Sequence, residues 1–198
     1  MYRMKHMRTN PVDLTLIHRS QAGDEDAFAE IFEASKNLVF RTAFLVLGNA
    51  QDAEDVLQEV FIQVHRSLAS YTPARGAFTT WIHRITVNRC LNRRRHWSFF
   101  NVRLDEISET NPAAITVPDE SGTDIDGVRK AISGLSVKLR AVVILRYYWE
   151  LSYAEISEVM ELPLGTVKSR LNLALRTLQV ALEDELDPTA GLIKEEPQ

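Results

Sequence analysis

The sequence predicts an all-α protein of two small helical domains joined by a flexible acidic linker. Apolar residues recur at three- and four-residue steps, the period of an amphipathic helix, and no stretch alternates as a half-buried strand does. Residues 99–125 interrupt this pattern, since they contain Pro112, Pro118 and Gly122 and no sustained apolar period. A structureless segment of this length is unusual inside a compact domain, so it indicates a linker.

Composition and charge narrow the class of protein. Hydrophobic residues make up 45% of the chain and charged residues 25%, which is ordinary for a globular protein and excludes disorder throughout. The net charge of −4 hides a segregation of sign, because residues 75–103 carry seven arginines and no acid, whereas residues 104–128 carry seven acids and no lysine or arginine. Such blocks argue against non-specific coating of nucleic acid and indicate two different partners.

We expect the protein to stay in the cytoplasm. Its longest apolar runs, 43–47 and 141–145, are five residues each. A helix that crosses a membrane needs roughly 20. The basic amino terminus is followed by Asn10, Pro11 and Asp13, where a signal peptide needs an apolar stretch.

The predicted helices form a first domain over residues 12–98 and a second over residues 126–186. The first domain is expected to have helices over residues 14–21, 28–47, 52–70 and 77–96. The second is expected to have helices over residues 126–133, 136–150, 152–160 and 163–186. Gly48 supplies a stop signal for the second helix, and Pro73 with Gly76 turns the backbone before the fourth.

The last two predicted helices have the features of a helix-turn-helix. Ser152 and Glu155 form a capping box that starts the first of them. Glu161 and Leu162 make a tight turn, and Pro163 suits the first position of the second. The side chains left facing outward near its start are Thr166, Lys168, Ser169, Arg170 and Asn172. In a helix-turn-helix such positions enter the major groove and read base edges; a plain helical hairpin with a solvated face is the alternative.

The helix after Gly76 interleaves aromatic rings with cations. With the residues just before it, the set comprises Tyr71, Phe78, Trp81, His83, Arg84, Asn88, Arg89, Arg93, Arg94, Arg95 and Trp97. A duplex binder needs mostly cations, whereas a protein that holds unpaired bases also needs aromatic platforms beside them. The pattern favours binding of a separated strand, and the alternative is that Phe78 and Trp81 are core residues.

Acidic and polar side chains line one face of the helix predicted over residues 52–70. They are Asp52, Glu54, Asp55, Gln58 and Glu59. No histidine or cysteine neighbours them, so we expect neither a metal site nor a cofactor. The face is either solvated or, with Phe61 and Ile62 beside it, a surface for docking a protein.

Cys90, the only cysteine, lacks a disulfide partner or zinc-ligand spacing and is interpreted as a buried thiol.

Taken in order, these segments resemble the extracytoplasmic-function (ECF) subfamily of sigma-70 family RNA polymerase sigma factors. Residues 52–61 resemble the core-polymerase-binding motif of region two, and residues 76–88 resemble the promoter-melting helix that reads the minus-ten element. Residues 151–157 and 165–171 resemble region four, which reads the minus-thirty-five element. The resemblance covers about residues 12–182. It implies that the protein is a transcription initiation factor rather than an enzyme, and that an anti-sigma factor holds it inactive.

The resemblance also implies three sets of contact residues. Core RNA polymerase would be bound by Asp52, Asp55, Gln58, Glu59, Phe61 and Ile62. The minus-ten DNA would be held by Tyr71, Arg75, Gly76, Thr80, Trp81, His83, Arg84, Asn88 and Arg89, with the loop 71–76 around a flipped base. The minus-thirty-five duplex would be contacted by Thr166, Lys168, Ser169, Arg170, Asn172 and Leu173. The acids of the linker are interpreted as occupants of a basic channel built for nucleic acid.

Two departures and two rival classes qualify this interpretation. Leu173 and Leu175 stand where members of the family commonly carry arginines, so we expect a weaker grip on phosphates there. The loop over residues 71–81 is slightly long, so the identity of the flipped base is not determined.

A helix-turn-helix repressor would explain the second half of the chain but not the aromatic and basic helix. An enzyme acting on nucleic acid would need a nucleophile motif, a phosphate-binding glycine loop or a metal cluster, and the sequence shows no such pattern.

Overall fold

The computed structural model describes residues 12–101 and 123–186, with side chains described over 12–93 and 127–183. The helices are α1 Leu14–Gln21, α2 Glu25–Leu47, α3 Ala50–Ser67, α4 Phe78–Asn101, α5 Thr123–Ser133, α6 Val137–Val143, α7 Tyr153–Met160 and α8 Leu164–Leu186. Short 3-10 turns at Leu68–Ser70 and Pro73–Arg75 lie between α3 and α4, and a π-helical turn at Ile144–Tyr148 extends α6. No strand occurs within these ranges, and the all-α prediction is confirmed.

Helices α1 to α4 form a bundle in which α2 packs against the other three. Its core consists of the apolar stripes expected from the helical period. The buried side chains include Ile31, Val39 and Val46 on α2, Val56, Val60 and Val64 on α3, and Ile82, Val87 and Cys90 on α4. Cys90 is therefore the buried thiol that the sequence predicts.

Local signals explain where these helices begin and end. The Asp24 side chain accepts a hydrogen bond from the amide of Ala27 at 3.0 Å and so caps α2. Gly48 ends α2 with a φ of +77°, a left-handed conformation that glycine adopts without strain. Asn49 caps α3 by accepting from the amide of Asp52 at 3.1 Å. The connection between α2 and α3 is consequently only two residues long, which holds the two helices side by side.

Helices α5 to α8 form a second bundle, with α8 packed against α5, α6 and α7. The Ser152 hydroxyl accepts from the amide of Glu155, and the Glu155 carboxylate accepts from the amide of Ser152, so the predicted capping box is confirmed. Glu161 ends α7 with a left-handed φ of 53°, and α8 begins after Pro163. The buried residues between these helices include Leu135, Leu145, Ile156, Val159, Val167, Leu171 and Ala174.

The two bundles pack against each other, which the expectation of two tethered domains did not anticipate. Helix α7 lies against α4, and α6 lies against α2 and α4. We call this contact the seam. Across it, the Arg140 guanidinium donates to the carbonyl of Val46, near the end of α2, at 3.1 Å. It also donates to the carbonyls of Ile132, Ser133 and Leu135, so one buried arginine ties the second bundle to the first.

Some predicted boundaries are wrong by a few residues. Helix α3 ends at Ser67 rather than near Ser70, because the last turn tightens into a 3-10 helix. Helix α4 continues to Asn101 instead of ending near residue 96, since no glycine or proline stops it. Helix α5 already begins at Thr123, three residues before its predicted start, and most of the acids of the predicted linker lie outside the described residues. In the described ranges, no helix combines the length and apolar character needed to cross a membrane.

Candidate nucleic-acid interface

The loop between α3 and α4 is held in a defined conformation. Gln21 Nε2 donates to the carbonyl oxygens of Leu68 and Tyr71 at 2.9 Å each. The Tyr71 hydroxyl donates to the carbonyl oxygen of Gly76 at 3.1 Å, which closes the loop on itself. Gly76 has a φ of +137°, a conformation that residues with a Cβ rarely adopt, so a substitution there would be strained.

A cavity of about 150 Å³ lies beside this loop. It is lined by Ser70, Tyr71, Thr72, Arg75, Gly76, Ala77, Thr80, Trp81, Arg84 and Glu158. The rings of Tyr71, Phe78 and Trp81 form a cluster with centroids 5.3 to 5.6 Å apart, which fixes the Trp81 ring at the wall of the cavity. Flat rings, hydroxyl groups and guanidinium groups are the groups that hold an unpaired base and its phosphate.

The structure brings six of the nine predicted minus-ten residues together around this cavity. They are Tyr71, Arg75, Gly76, Thr80, Trp81 and Arg84. The other three lie elsewhere on α4. Asn88 is half-buried further along the helix, and Arg89 donates to Gln63 Oε1 of α3 at 3.2 Å. Phe78 is a core residue, as the alternative interpretation held, and His83 lies in the seam.

His83 is only 2% exposed, because its ring packs against the ring of Trp149 with the centroids 5.0 Å apart. Burial lowers the pKa of His83 from 6.5 to about 4, and the nearby Glu155 carboxylate opposes this shift. Neither His83 Nδ1 nor Trp149 Nε1 has a hydrogen-bond partner. The seam therefore contains two buried polar atoms that water would satisfy if the bundles separated.

The acidic face of α3 is paired with arginines of α4. Arg93 Nη2 lies 2.9 Å from Asp52 Oδ1 and 2.6 Å from Asp55 Oδ2, and Arg93 Nη1 lies 3.5 Å from Glu59 Oε1. Burial alone would lower the pKa of Arg93, but its bonds to Asp52 and Asp55 raise it on balance. Arg89 also approaches Glu59, with its Nη1 3.8 Å from Glu59 Oε2. The arginines hold three carboxylates of the predicted polymerase-binding set in one geometry.

The rest of the predicted polymerase-binding set divides into exposed and buried residues. Gln58 and Ile62 are exposed next to the acids. Phe61 is buried in the core against Phe32, with ring centroids 4.5 Å apart, so it supports the surface from beneath. Among the described residues, no group of three or more His, Cys, Asp or Glu side chains is placed to hold a metal ion.

On α8 the predicted minus-thirty-five residues share an outer surface. Lys168, Ser169 and Asn172 are exposed, whereas Thr166 and Arg170 are partly buried. The opposite side of the helix is buried in the second bundle through Val167, Leu171 and Ala174. Leu173 and Leu175 are 55% and 39% exposed, so two apolar side chains stand on the outer surface of the helix.

Sequence reasoning missed three residues at the seam and its surroundings. Glu158, which lines the cavity, looks like one more solvated acid on a short helix. Trp149 and Arg140 looked like ordinary members of a helical pattern. The pairing of Arg93 with the acids of α3 could have been predicted from the sequence, because a run of arginines and an acidic face occur on successive helices.

Known sequences match the same two halves. A family model described as sigma-70 region 2 matches residues 31–98, and one described as sigma-70, region 4 matches residues 125–178. The ECF RNA polymerase sigma factor SigW of Bacillus subtilis is 30% identical over 179 residues, covering 85% of this chain and 95% of the relative. The RNA polymerase sigma-H factor of Pseudomonas aeruginosa is 32% identical over 188 residues, covering 89% of this chain and 97% of the relative.

Solved structures share the fold. The sigma factor RpoE of Bartonella quintana, solved with the anti-sigma factor NepR, aligns with a TM-score of 0.66 at 21% identity, covering 79% of this chain and 96% of that one. CnrH, solved with the cytosolic domain of CnrY, aligns with a TM-score of 0.61 at 20% identity, covering 87% of this chain and 97% of that one.

A helical bundle carrying an aromatic and basic helix, followed by a helix-turn-helix bundle, defines a transcription initiation factor of the sigma-70 type. The chain belongs to the ECF RNA polymerase sigma factors, so the family predicted from the sequence is confirmed. It confers promoter specificity on core RNA polymerase. We refer to the first bundle as region 2 and to the second as region 4.

The buried imidazole makes stability depend on pH. In the unfolded chain His83 has its ordinary pKa of 6.5, whereas in the folded chain the pKa is about 4, so lowering the pH protonates the unfolded state first. The free energy of unfolding should therefore fall by about 2 kcal/mol between pH 7 and pH 5. Denaturant titrations at the two pH values measure it. His83→Gln should remove this part of the slope, and His18→Gln, at an exposed position, should retain it; equal slopes in both variants contradict the assignment.

Proposed function

We propose that α3 docks this sigma factor on core RNA polymerase, that α4 and its loop hold the separated minus-ten strand, and that α8 reads the minus-thirty-five duplex. The observation that carries the proposal is the cavity beside the α3–α4 loop, whose lining contains Trp81 together with Arg75 and Arg84. In this proposal region 2 comprises α1 to α4 and region 4 comprises α5 to α8. The chain acts as a binding factor in the cytoplasm, without a catalytic site or cofactor.

Strand capture is supported by the energetics of base stacking. Stacking of one base on an aromatic ring contributes about 1 to 3 kcal/mol, and unstacking a base from a duplex costs a few kcal/mol. One base stacked on Trp81 therefore offsets much of this cost, and salt bridges from Arg75 and Arg84 to phosphates add to it. The preformed loop helps because its ordering entropy is already lost before DNA arrives.

Docking on the polymerase is supported by the ordered carboxylates of α3. Arg93 neutralises part of their charge, but Asp55 and Glu59 remain nearly half exposed and can still accept hydrogen bonds from a partner. Exposed Ile62 adds an apolar contact beside them. A surface of fixed carboxylates with an apolar edge fits a basic and apolar partner surface better than it fits solvent alone.

Control by an anti-sigma factor is part of the proposal. The two solved structures described above each contain a second protein: the sigma factor RpoE is bound to the anti-sigma factor NepR, and CnrH is bound to the cytosolic domain of CnrY. We propose that a protein of this kind binds the present chain and keeps its DNA-reading and polymerase-binding helices from their targets.

The class of function is tested by mixing the purified chain with core RNA polymerase that lacks a specificity subunit, followed by run-off transcription from a genomic library. Specific transcripts should appear only when both components are present, since neither alone recognises a promoter. The sequence shared upstream of those transcripts reports the specificity. A chain that fails to associate with core polymerase rules the proposal out.

The strand-holding role of Trp81 is tested by Trp81→Ala in the same transcription system. Loss of one stacked base should reduce specific transcripts about 10- to 100-fold. Binding to core polymerase should be unchanged, and permanganate reactivity of the melted thymines should fall. Trp81→Phe, which keeps a ring, should retain most of the activity. Tyr147→Ala, which removes an exposed aromatic ring of region 4, is the matched control and should transcribe as the wild type does. Normal transcription by Trp81→Ala contradicts the role.

A further inference from the structure

An exposed leucine lies within the surface of α8 that is proposed to face DNA. Leu173 is 55% exposed, and it follows exposed Ser169 by four residues, so the two side chains lie on the same side of the helix. Leu171, two residues earlier, is buried in region 4. At about 3.6 residues per turn the two leucines point about 160° apart. Leu173 therefore points away from the protein.

The position of Leu173 along α8 is one from which a recognition helix reaches base edges. In a homeodomain, whose recognition helix lies in the major groove, the residues that contact bases are spaced i, i+3, i+4 and i+7. The same spacing is found in Thr166, Ser169, Arg170 and Leu173. Leu173 is the apolar member of this set, so its contact with a base cannot be a hydrogen bond.

The hydroxyl groups one turn before and one turn after Leu173 are already bonded within the helix. The Ser169 hydroxyl donates to the carbonyl oxygen of Thr166 at 3.0 Å, and the Thr177 hydroxyl donates to the carbonyl oxygen of Leu173 at 2.9 Å. Each hydroxyl has a single proton, so in this arrangement neither has one left for an acceptor on a base edge. This part of α8 therefore offers a base an apolar contact rather than a donor.

Charge favours DNA as the partner of this surface. Residues 164–182 include Lys168, Arg170 and Arg176 and contain no acid. Cations before and after Leu173 can pair with the phosphates that flank a groove, and these contacts fix the helix on the duplex. An apolar side chain held in the major groove in this way meets one apolar group on the base edges, the C5-methyl group of thymine.

We infer that Leu173 reads a thymine of the minus-thirty-five element by packing against its C5-methyl group. This inference rests on the proposed role of α8 in reading that element. Guanine and adenine present acceptors in the major groove, and leucine would cover these without replacing their hydrogen bonds to water. Leu173 is thus a specificity-determining residue that favours a T·A pair at the position it faces.

Removal of a single methyl group from the DNA tests the inference. The full chain is assembled with core polymerase and bound to a promoter recovered by run-off transcription. Each thymine of its minus-thirty-five element, on either strand, is replaced in turn by deoxyuridine, which pairs with adenine as thymine does and lacks only the methyl group. At one position the replacement should weaken binding about fourfold, the equivalent of about 0.8 kcal/mol for one buried methyl group.

Leu173→Ala should abolish this response. The variant should bind the thymine promoter more weakly than the wild type does, and it should bind the thymine and uracil promoters equally, because one partner of the contact is already missing. Alanine is the residue most favourable to a helix, and Leu173 lies outside the core, so the fold is retained.

Leu175→Ala is the matched control. Leu175 is 39% exposed but follows buried Leu171 by four residues, so it lies on the other side of α8 from Leu173. This variant removes the same atoms from the same helix, and it should keep the fourfold response to uracil.

Three results overturn the inference: an element that contains no thymine, replacements that leave wild-type binding unchanged at every position, or a response that Leu173→Ala retains. Weaker association of Leu173→Ala with core polymerase in the absence of DNA would assign the side chain to a protein contact and overturns it as well. Failure of the proposed function is a different result. Binding that is unchanged when the whole minus-thirty-five element is replaced refutes the role of α8, whereas binding that depends on the element but on none of its methyl groups refutes only the inference.

Discussion

Helix α4 must satisfy three requirements at once, and the rest of the structure depends on how they are divided around its circumference. One side supplies Ile82, Val87 and Cys90 to the core of region 2. A second side presents Trp81 and Arg84 to the strand cavity. Fully buried His83 meets Trp149 of region 4 at the seam. At about 3.6 residues per turn, His83 falls on the side of α4 that carries Val87 and Cys90, away from the side that carries Trp81.

Part of the positive charge of α4 is paired with acids of α3. Arg93 is committed to three carboxylates of α3, and Arg89 approaches Glu59. The cations left to line the cavity are Arg75 and Arg84, and there the seam brings in Glu158. Although the net charge of the chain is −4, two arginines and one glutamate line the cavity.

Local patterns in the sequence predicted most of the fold. The bounds of α1, the stop at Gly48 and the capping box at Ser152 follow from side chains within four residues of the feature they set. Of the six residues around the cavity, the pattern of rings and cations singled out Tyr71, Trp81 and Arg84, and the resemblance to a family added Arg75, Gly76 and Thr80. The seam was not predictable in this way. The hydrogen bond from Arg140 to Val46 joins residues 94 positions apart, and no pattern in the sequence around either residue predicts the contact. The same holds for His83, whose polar side chain suggested a DNA contact although it is buried against Trp149.

The central claim is that the cavity beside the α3–α4 loop holds the separated minus-ten strand. Crosslinking tests it most directly. Ser70→Cys places a thiol on the wall of this cavity, where a photoreactive group can be attached. With core polymerase and promoter DNA, the labelled protein should crosslink to one strand of the melted minus-ten element. A label that crosslinks only to duplex DNA, or to no DNA, would contradict the account.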